Sequence, residues 1–437
     1  MSEPSSQKNK LGLWTSTSLV AGNMIGAGVF LMPAALAAYG SISLLGWVLS
    51  ATGAFLLAKI FSNLSKIMPQ ADGGPYAYSR KGLGDFAGFL VAWGYLISVW
   101  STNAAIAVAF VSAMSTFFPV LGSSALVAVL TGLSTIWFLT WVNTRGIVTS
   151  GKFQLVTTVL KIIPLIAVSI GGLFFIKAEN FIPFNASGTS DFSAITATTT
   201  LTFFAFLGVE CATIPSGSVA NPEKIISRAT MLGTLTATVV YILSSISVMG
   251  MIPANQLQHS ITPFADAAVM MWGSGASYLV SAGVAIAALG ALNGFILIQG
   301  QVPFAIAKDR LFPPVFSKQN KKGVPALGIV IGSLLVSVMM AMNYTKGLAE
   351  QFKFLILLST LTVLIPYLFS AAAYILIRVE KKYFKGNWSQ PVALASLAFL
   401  FSLWMVAGSG QEVVYWGFIL LMSGLPFYVW ILWKNKT

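Results

Sequence analysis

The sequence predicts an all-α integral membrane protein with twelve transmembrane helices in one domain that covers residues 1–437. The chain is 56% hydrophobic and 8% charged, whereas soluble domains carry about 25% charged residues. Its apolar residues come in runs of about 20 or more, the length a helix needs to cross a bilayer. A soluble or disordered chain is thereby excluded, and a β-barrel would show alternating segments of about ten residues instead.

The single cysteine, Cys211, and the single histidine, His259, limit the available chemistry. A disulfide framework, a cysteine-built metal site and a histidine cluster are all excluded. We therefore expect no metal ion and no cofactor. The apolar run behind the polar residues 1–10 is too long for a signal peptide, so we interpret it as the first transmembrane helix.

Twelve apolar segments define the predicted helices. They lie at about residues 11–37, 42–64, 86–117, 121–143, 148–176, 193–216, 230–251, 273–304, 325–343, 352–377, 391–409 and 413–433. An even number of helices places both termini on the same side of the lipid bilayer. The termini and the loops of that side carry twenty basic residues, against three (Lys177, Lys346 and Lys353) on the other side. Both termini are therefore expected in the cytoplasm, with the protein in the cell (inner) membrane. The net charge of +13 follows from this bias and does not indicate a nucleic acid partner.

The first predicted helix contains the run Gly22-Asn23-Met24-Ile25-Gly26-Ala27-Gly28-Val29-Phe30. Glycine costs a helix interior about 1 kcal/mol relative to alanine, so closely spaced glycines favour an interruption. Inside a bilayer, non-helical backbone persists only where it is buried in protein or lines a cavity. Close packing of helices around small residues is the alternative explanation of this motif taken alone.

The sixth predicted helix contains Gly208 at mid-span, followed by Glu210 and Pro215. Paired interruptions at corresponding positions of two halves indicate the substrate site of a transporter. We therefore predict a five-plus-five inverted repeat with helices 1 and 6 broken at 26–28 and 206–208. The first repeat covers about residues 11–176, the second about 193–377, and helices 11 and 12, at about 391–433, lie outside it.

Two charged residues lie deep inside predicted helices. Glu210 is the only acid within a span, and an intramembrane carboxylate is costly and functional by default. We expect it to act in gating or proton coupling; the alternative is a structural partner for backbone amides freed by the break. Lys161 lies well inside helix 5, whereas Lys59 lies nearer the cytoplasmic end of helix 2. Snorkelling to the interface explains Lys59 and is an alternative for Lys161.

At these residues the chain resembles the amino acid–polyamine–organocation superfamily, and within it the group of basic amino acid/polyamine antiporters that includes exchangers of arginine and agmatine. The matching motifs are the 22–30 run, Gly73-Gly74-Pro75-Tyr76-Ala77-Tyr78, Phe206-Leu207-Gly208-Val209-Glu210, Asn221-Pro222-Glu223 and Asp309-Arg310-Leu311-Phe312-Pro313-Pro314. The resemblance covers essentially all twelve spans and also implies a homodimer.

The resemblance implies roles for particular residues. The unwound part of helix 1 would bind the substrate's α-carboxylate, with Asn23, Ile25, Gly26, Ala27 and Gly28 around it. Carbonyls near Phe206 and Leu207 would accept from the α-ammonium. The remaining pocket positions are Tyr95, Asn103, Ile106, Phe204, Phe295 and Ser359. Gating or proton coupling would fall to Glu210, Lys161, Tyr76 and Tyr367.

Three departures from the arginine exchangers bear on the substrate. Ala27 replaces a serine of the carboxylate site, and Phe204 and Phe295 replace two tryptophans. Phenylalanine is a weaker cation–π partner than tryptophan, so a guanidinium substrate is less favoured. Lys161 resembles a lysine of proton-coupled, broad-specificity amino acid transporters, whose ammonium stands where sodium-coupled relatives bind sodium.

The sequence thus predicts a secondary active amino acid transporter that works by alternating access, either as an antiporter or as a proton-coupled permease. We expect neutral amino acids to compete at least as well as arginine; the alternative is an exchanger of basic amino acids and polyamines. An enzyme would need clustered His, Asp or Glu residues, and a channel would need a filter or a ring of charges. The expected partners are an amino acid or amine substrate, the lipid bilayer and protons.

Overall fold

A computed structural model describes residues 10–26, 28–342, 348–380 and 388–436. Its helices, in chain order, are α1 Leu13–Met24, α2 Gly28–Ala37, α3 Ser43–Ile67, α4 Pro75–Leu83, α5 Asp85–Met114, α6 Val120–Ser123, α7 Ala125–Asn143, α8 Ile147–Gly172, α9 Asp191–Phe203, α10 Pro222–Met251, α11 Ala254–Leu257, α12 Pro263–Trp272, α13 Ala276–Lys308, α14 Ala326–Met342, α15 Leu348–Glu380, α16 Ser389–Gly408, α17 Gln411–Met422 and α18 Gly424–Lys436. The described residues contain no β-strand beyond one isolated bridge between Leu11 and Val219.

The all-helical membrane class is confirmed. Among the described residues, eleven helical segments are long and apolar enough to cross a bilayer. The ninth predicted span corresponds to α14, a shorter apolar helix of 17 residues. Each predicted span thus corresponds to an apolar helical segment among the described residues. The described part of α14 is shorter than the usual spanning length.

The seventh and the twelfth predicted spans differ from the observed helices for identifiable reasons. The seventh predicted span begins at residue 230, but α10 begins at Pro222. Its first turns carry Glu223, Lys224 and Arg228, which an apolar scan rejects, and a proline at the first helical position starts the helix. The twelfth predicted span is two helices, α17 and α18, separated at Ser423.

The helices divide into an inner set and an outer set. Within the best 18-residue windows, 89% of residues are buried in α5 and 78% in both α13 and α15, against 22% in α16. The outer helices present large apolar side chains to the surroundings, among them Leu126, Trp141, Leu400 and Phe418. Such a surface suits lipid, because water would make it a site of aggregation.

Helical structure is interrupted at two places in the inner set. α1 ends at Met24 and α2 begins at Gly28, with Ile25 and Gly26 non-helical and Ala27 outside the described residues. α9 ends at Phe203, and residues 204–218 contain only three short 3₁₀ turns before α10 begins. These two irregular segments position the candidate site.

Candidate functional site

The two irregular segments contact each other. Gly208 has φ +108°, a conformation that L side chains rarely adopt, and a Cβ there would lie 3.0 Å from Cβ of Asn23. The amide of Asn23 donates to Sγ of Cys211 at 3.1 Å. Glycine at 208 therefore serves both the backbone turn and the close approach of the α1 end to the segment after α9.

A narrow cavity lies where the segments meet. It is lined by Asn23, Met24, Gly26, Thr102, Ile106, Phe204, Ala205, Leu207 and Phe295, and its volume is about 10 Å³, room for about one water molecule. Six of the residues singled out in the sequence thus share one cavity. Met24, Thr102 and Ala205 were missed, since nothing in an apolar or hydroxyl residue of a buried helix marks it as cavity-lining.

Other residues singled out in the sequence lie nearby without lining the cavity. Ile25 is fully buried in the core, and the ring of Phe206 packs against Trp47 and Tyr241, with centroids 6.2 and 5.3 Å away. Any contact of Phe206 with a ligand would therefore involve its backbone. Gly28 is the first residue of α2, where amide groups have no intrahelical acceptor and the helix dipole is positive.

Asn103 belongs to a chain of buried amides and hydroxyls. Its Nδ2 donates to Oε1 of Gln299 at 2.9 Å, and Gln299 Nε2 donates to Oγ of Ser333 at 2.8 Å and to the Ile329 carbonyl at 2.9 Å. The Thr140 and Ser333 hydroxyls are 2.6 Å apart. Oδ1 of Asn103, though buried, has no hydrogen-bond partner among the described residues. Because Gln299 accepts from Nδ2, the orientation of the Asn103 amide is fixed and its oxygen, Oδ1, remains available as an acceptor.

Gln299 is a residue that the sequence reasoning missed. Its signal is an amide in the middle of a membrane helix, where polar side chains make interhelical hydrogen bonds. Charge at membrane depth marks Glu210 and Lys161, whereas the uncharged amide of Gln299 carries no comparable signal.

Ser359 lies in a hydroxyl cluster behind the cavity. Its Oγ is 2.5 Å from the Thr102 hydroxyl and 3.0 Å from the Ser98 hydroxyl. Because Thr102 lines the cavity, Ser359 reaches the site through a neighbour rather than directly.

Glu210 is held between two tyrosines. Its side chain is buried, with Oε1 accepting a hydrogen bond from the Tyr95 phenol and Oε2 accepting one from the Tyr367 phenol at 2.6 Å. Tyr95 lies on α5 and Tyr367 on α15, so the carboxylate joins the segment after α9 to two long inner helices. Both oxygens are satisfied, as a buried carboxylate requires.

Lys161 lies on α8 with its side chain fully buried. Its ammonium donates to the carbonyl of Gly22, in the last turn of α1. Carbonyls at a helix C-terminus have no intrahelical partner and carry the negative end of the dipole, so a cation is favourable there. Lys161 forms no ion pair with any described carboxylate.

Tyr76 lies apart from Glu210, on α4 outside the membrane-spanning segments. Its phenol donates to Oδ2 of Asp309 at 2.8 Å, and the same carboxylate accepts from Arg80 at 2.8 Å. Burial, followed by the hydrogen bond to Asp309, raises the pKa of Tyr76 well above its usual value. Tyr76 and Tyr367, to which the resemblance gives a role in gating, therefore belong to two separate hydrogen-bond networks, about Asp309 and about Glu210.

A family model described as amino acid permease matches residues 11–431. The chain is 33% identical to the cadaverine/lysine antiporter of Escherichia coli K12 over 97% of its length and 95% of that protein. It is 31% identical to the arginine/ornithine antiporter of Pseudomonas aeruginosa, over 98% of this chain and 90% of that protein. It is 32% identical to the arginine/agmatine antiporter of Chlamydia pneumoniae, over 98% of this chain and 91% of that protein.

Among solved structures, a substrate-bound, outward-open Na⁺-coupled sialic acid symporter shares the fold. Its TM-score is 0.60 at 12% identity, covering 95% of this chain and 90% of that one. The resemblance read from the motifs is confirmed: the chain belongs to the amino acid permease family of the amino acid–polyamine–organocation superfamily.

Proposed function

We propose that this protein is an amino acid antiporter, a secondary active transporter that works by alternating access. The main observation behind this proposal is that two irregular backbone segments, 25–26 and 204–218, meet at one buried cavity between inner helices. Such backbone at membrane depth is typical of transporter substrate sites. The three relatives named above are antiporters, which supports exchange over one-way transport or an enzymatic reaction.

The finer architecture that we propose is the five-plus-five inverted repeat, with α1–α2 and the α9 segment as its two discontinuous helices. A cryo-EM structure checks it: residues 11–176 and 193–377 should superimpose after about half a turn around an axis in the membrane plane. Continuous helices through 25–28 and 204–208 would contradict it. The same structure would show whether the protein is a homodimer.

For the substrate we propose an α-amino acid. The first amides of α2 suit a carboxylate. Among the described residues, the carbonyl of Phe206 accepts a hydrogen bond from the amide of Val209, with 3.3 Å between nitrogen and oxygen. A carbonyl has two lone pairs, so it can also accept from an ammonium. The Ala205 carbonyl is taken by Tyr241 at 2.8 Å. The ligand therefore needs both charges close together, which an α-amino acid provides.

The cavity of about 10 Å³ is too small for an amino acid, so its walls must move. The ring of Phe204 contacts the ring of Phe352 edge to face, with 6.2 Å between their centroids. Phe352 lines a second, larger cavity. We propose that a shift of this ring opens the path to the site from that face. Alternating access then requires the Glu210 and Asp309 networks to loosen when the opposite face opens.

Lys161 supports a cycle without sodium. Its ammonium supplies positive charge at the end of α1, as a bound cation would. We propose that it stabilises the interrupted helix and that Glu210 responds to protons in gating. The expected orientation has both termini in the cytoplasm and the protein in the inner membrane.

The second candidate function is exchange of a basic amino acid for its amine, favoured by the relatives. Neutral amino acids are favoured by Phe204 and Phe295, since a cationic side chain gains about 0.5–2 kcal/mol per ring and phenylalanine is the weaker partner. Proteoliposomes loaded with one unlabelled candidate at a time decide between them by uptake of labelled arginine and a labelled neutral amino acid. No exchange with any amino acid or amine would overturn the proposed function.

A further inference from the structure

A cavity of about 420 Å³ lies on the membrane face away from the termini. α1 begins on the side of the termini and α2 ends on the opposite side. The cavity is lined by Leu31, Ala34 and Ala35 of α2 and by Ala38, which follows the end of that helix. Its volume falls in the usual range of small-molecule sites, about 300–1,000 Å³. It is much larger than the central cavity and can hold a whole amino acid.

One ring from the wall of each cavity joins the two cavities by a direct contact. Phe352 lines the large cavity, Phe204 lines the central one, and their rings contact each other at 6.2 Å. A ligand in the large cavity therefore lies directly in front of the aromatic pair that covers the central site.

The polar wall of the large cavity carries positive charge. Lys353, at the start of α15, lines it, and so do Gln258, His259 and Ser260 of the loop between α11 and α12. Lys353 is exposed and forms no ion pair with a carboxylate of any side chain that the structure describes.

Asp266, in the first turn of α12 next to this loop, is not part of the lining. Its carboxylate accepts hydrogen bonds from the hydroxyls of Ser260 and Thr262. The ammonium of Lys353 is thus left to interact with what enters the cavity, while the carboxylate of Asp266 is engaged by the loop itself.

We propose that this cavity is a second, outer binding site that holds an incoming amino acid by its carboxylate on Lys353 and discriminates against carboxylate-free amines. An amino acid presents a carboxylate to the ammonium, whereas the amine formed by its decarboxylation presents only positive charge. A site with one unpaired cation attracts the first and repels the second. The inference rests on the proposed function and makes uptake selective for amino acids from this face.

The chain offers a clean chemical test. Its sole cysteine, Cys211, is buried, so Lys353→Cys introduces one accessible thiol. Membrane-impermeant thiol reagents can then place a positive or a negative charge at position 353, only on protein whose cavity faces the outside of the liposome. Lys177→Cys, an exposed lysine on the same face and outside the cavity lining, is the matched control.

The readout is competition, by the substrate amino acid and by its decarboxylated amine, against labelled uptake. We expect Lys353→Cys to reduce the preference for the amino acid by about fivefold, the effect of one nearby charge in a largely aqueous site. The cationic reagent should restore the preference and the anionic one should invert it.

If Lys353→Cys shows the same preference for the amino acid over its amine in the unmodified, cationic and anionic states, the proposal of an outer site is wrong. It is also wrong if Lys177→Cys shows the changes expected for Lys353→Cys. A second measurement separates this outcome from failure of the proposed function. In detergent, the amino acid should slow labelling of Lys353→Cys and its amine should not. If wild-type protein does not exchange but protection occurs, the outer site stands and the antiporter proposal fails; absence of protection by an amino acid that the wild type exchanges contradicts the site.

Discussion

The phenol of Tyr367 donates a hydrogen bond to Oε2 of Glu210, with 2.6 Å between the two oxygens, while Tyr95 donates to Oε1. A single buried carboxylate therefore connects the irregular segment after α9 to α5 and α15. Any movement of that segment relative to the long helices must break or rebuild these bonds. Both contacts depend on the Glu210 carboxylate as the acceptor.

Replacing Glu210 with glutamine should weaken the contact of the segment after α9 with α5 and α15. A glutamine side chain accepts through one oxygen only, so one buried phenol loses its acceptor, at a cost of about 1–3 kcal/mol. We expect slower exchange and a flattened pH profile, measured by uptake into proteoliposomes across the near-neutral range. Glu412→Gln, at an exposed acid, is the control. A wild-type pH profile in Glu210→Gln would clear Glu210 of proton coupling.

Replacing Lys161 with alanine should remove most exchange. The Gly22 carbonyl would lose its buried partner and the end of α1 its compensating charge. We expect at least a tenfold loss of rate, with the protein still folded by size-exclusion chromatography. Lys59→Ala is the matched control, since Lys59 also lies in a spanning helix but is exposed. Wild-type exchange that requires sodium would refute the role of Lys161 as a substitute cation.

Replacing Gln299 with leucine should impair substrate binding through Asn103. Without the Gln299 acceptor, the Asn103 amide is free to turn and its open oxygen is no longer fixed. We expect a higher KM with a smaller effect on maximal rate, and a coupling of about 0.5–3 kcal/mol in a double-mutant cycle with Asn103→Ala. Gln301→Leu, two residues further along α13, is the control. Additive effects of the two substitutions would mean that Gln299 acts only on packing.

Enlarging both aromatic walls should move the preference toward arginine. Tryptophan at 204 and 295 offers stronger cation–π attraction than phenylalanine, by up to about 2 kcal/mol where desolvated. We expect the ratio of arginine to neutral amino acid uptake to rise about tenfold in the double variant. Phe418→Trp, on the outer surface, should leave the ratio unchanged. If wild-type protein exchanges only arginine and agmatine, the inference from the two phenylalanines is wrong.

Removing the Tyr76 hydroxyl should change exchange equally at all pH values from about 6 to 9. The raised pKa of Tyr76 keeps its phenol protonated in this structure, so its hydrogen bond to Asp309 is fully present below the ordinary tyrosine pKa of about 10. That stabilisation falls only as the pH rises above this value. Tyr76→Phe should therefore shift the rate by up to about tenfold, parallel to wild type, when measured by uptake at several pH values. A pH profile of different shape would show that the Asp309 network titrates.

The sequence by itself determined the membrane class, the approximate positions of the spans and the family. Long apolar runs decide that a chain enters a bilayer, because no other arrangement satisfies both its side chains and its backbone. Local composition also predicted an interruption at residues 26–28, since closely spaced glycines weaken a helix wherever they occur. Glu210 and Lys161 were found because charge at membrane depth is costly and therefore rare.

Only the tertiary structure decided which groups meet. Lys161 and Gly22 are 139 residues apart along the chain, and Tyr367 and Glu210 are 157 apart, so no local pattern reports these contacts. The separation of Tyr76 from Glu210, the orientation of the Asn103 amide by Gln299 and the lining of two cavities by Phe204 and Phe352 follow from helix packing. Packing depends on the simultaneous fit of many side chains from distant segments, and this information is not contained in any single stretch of sequence.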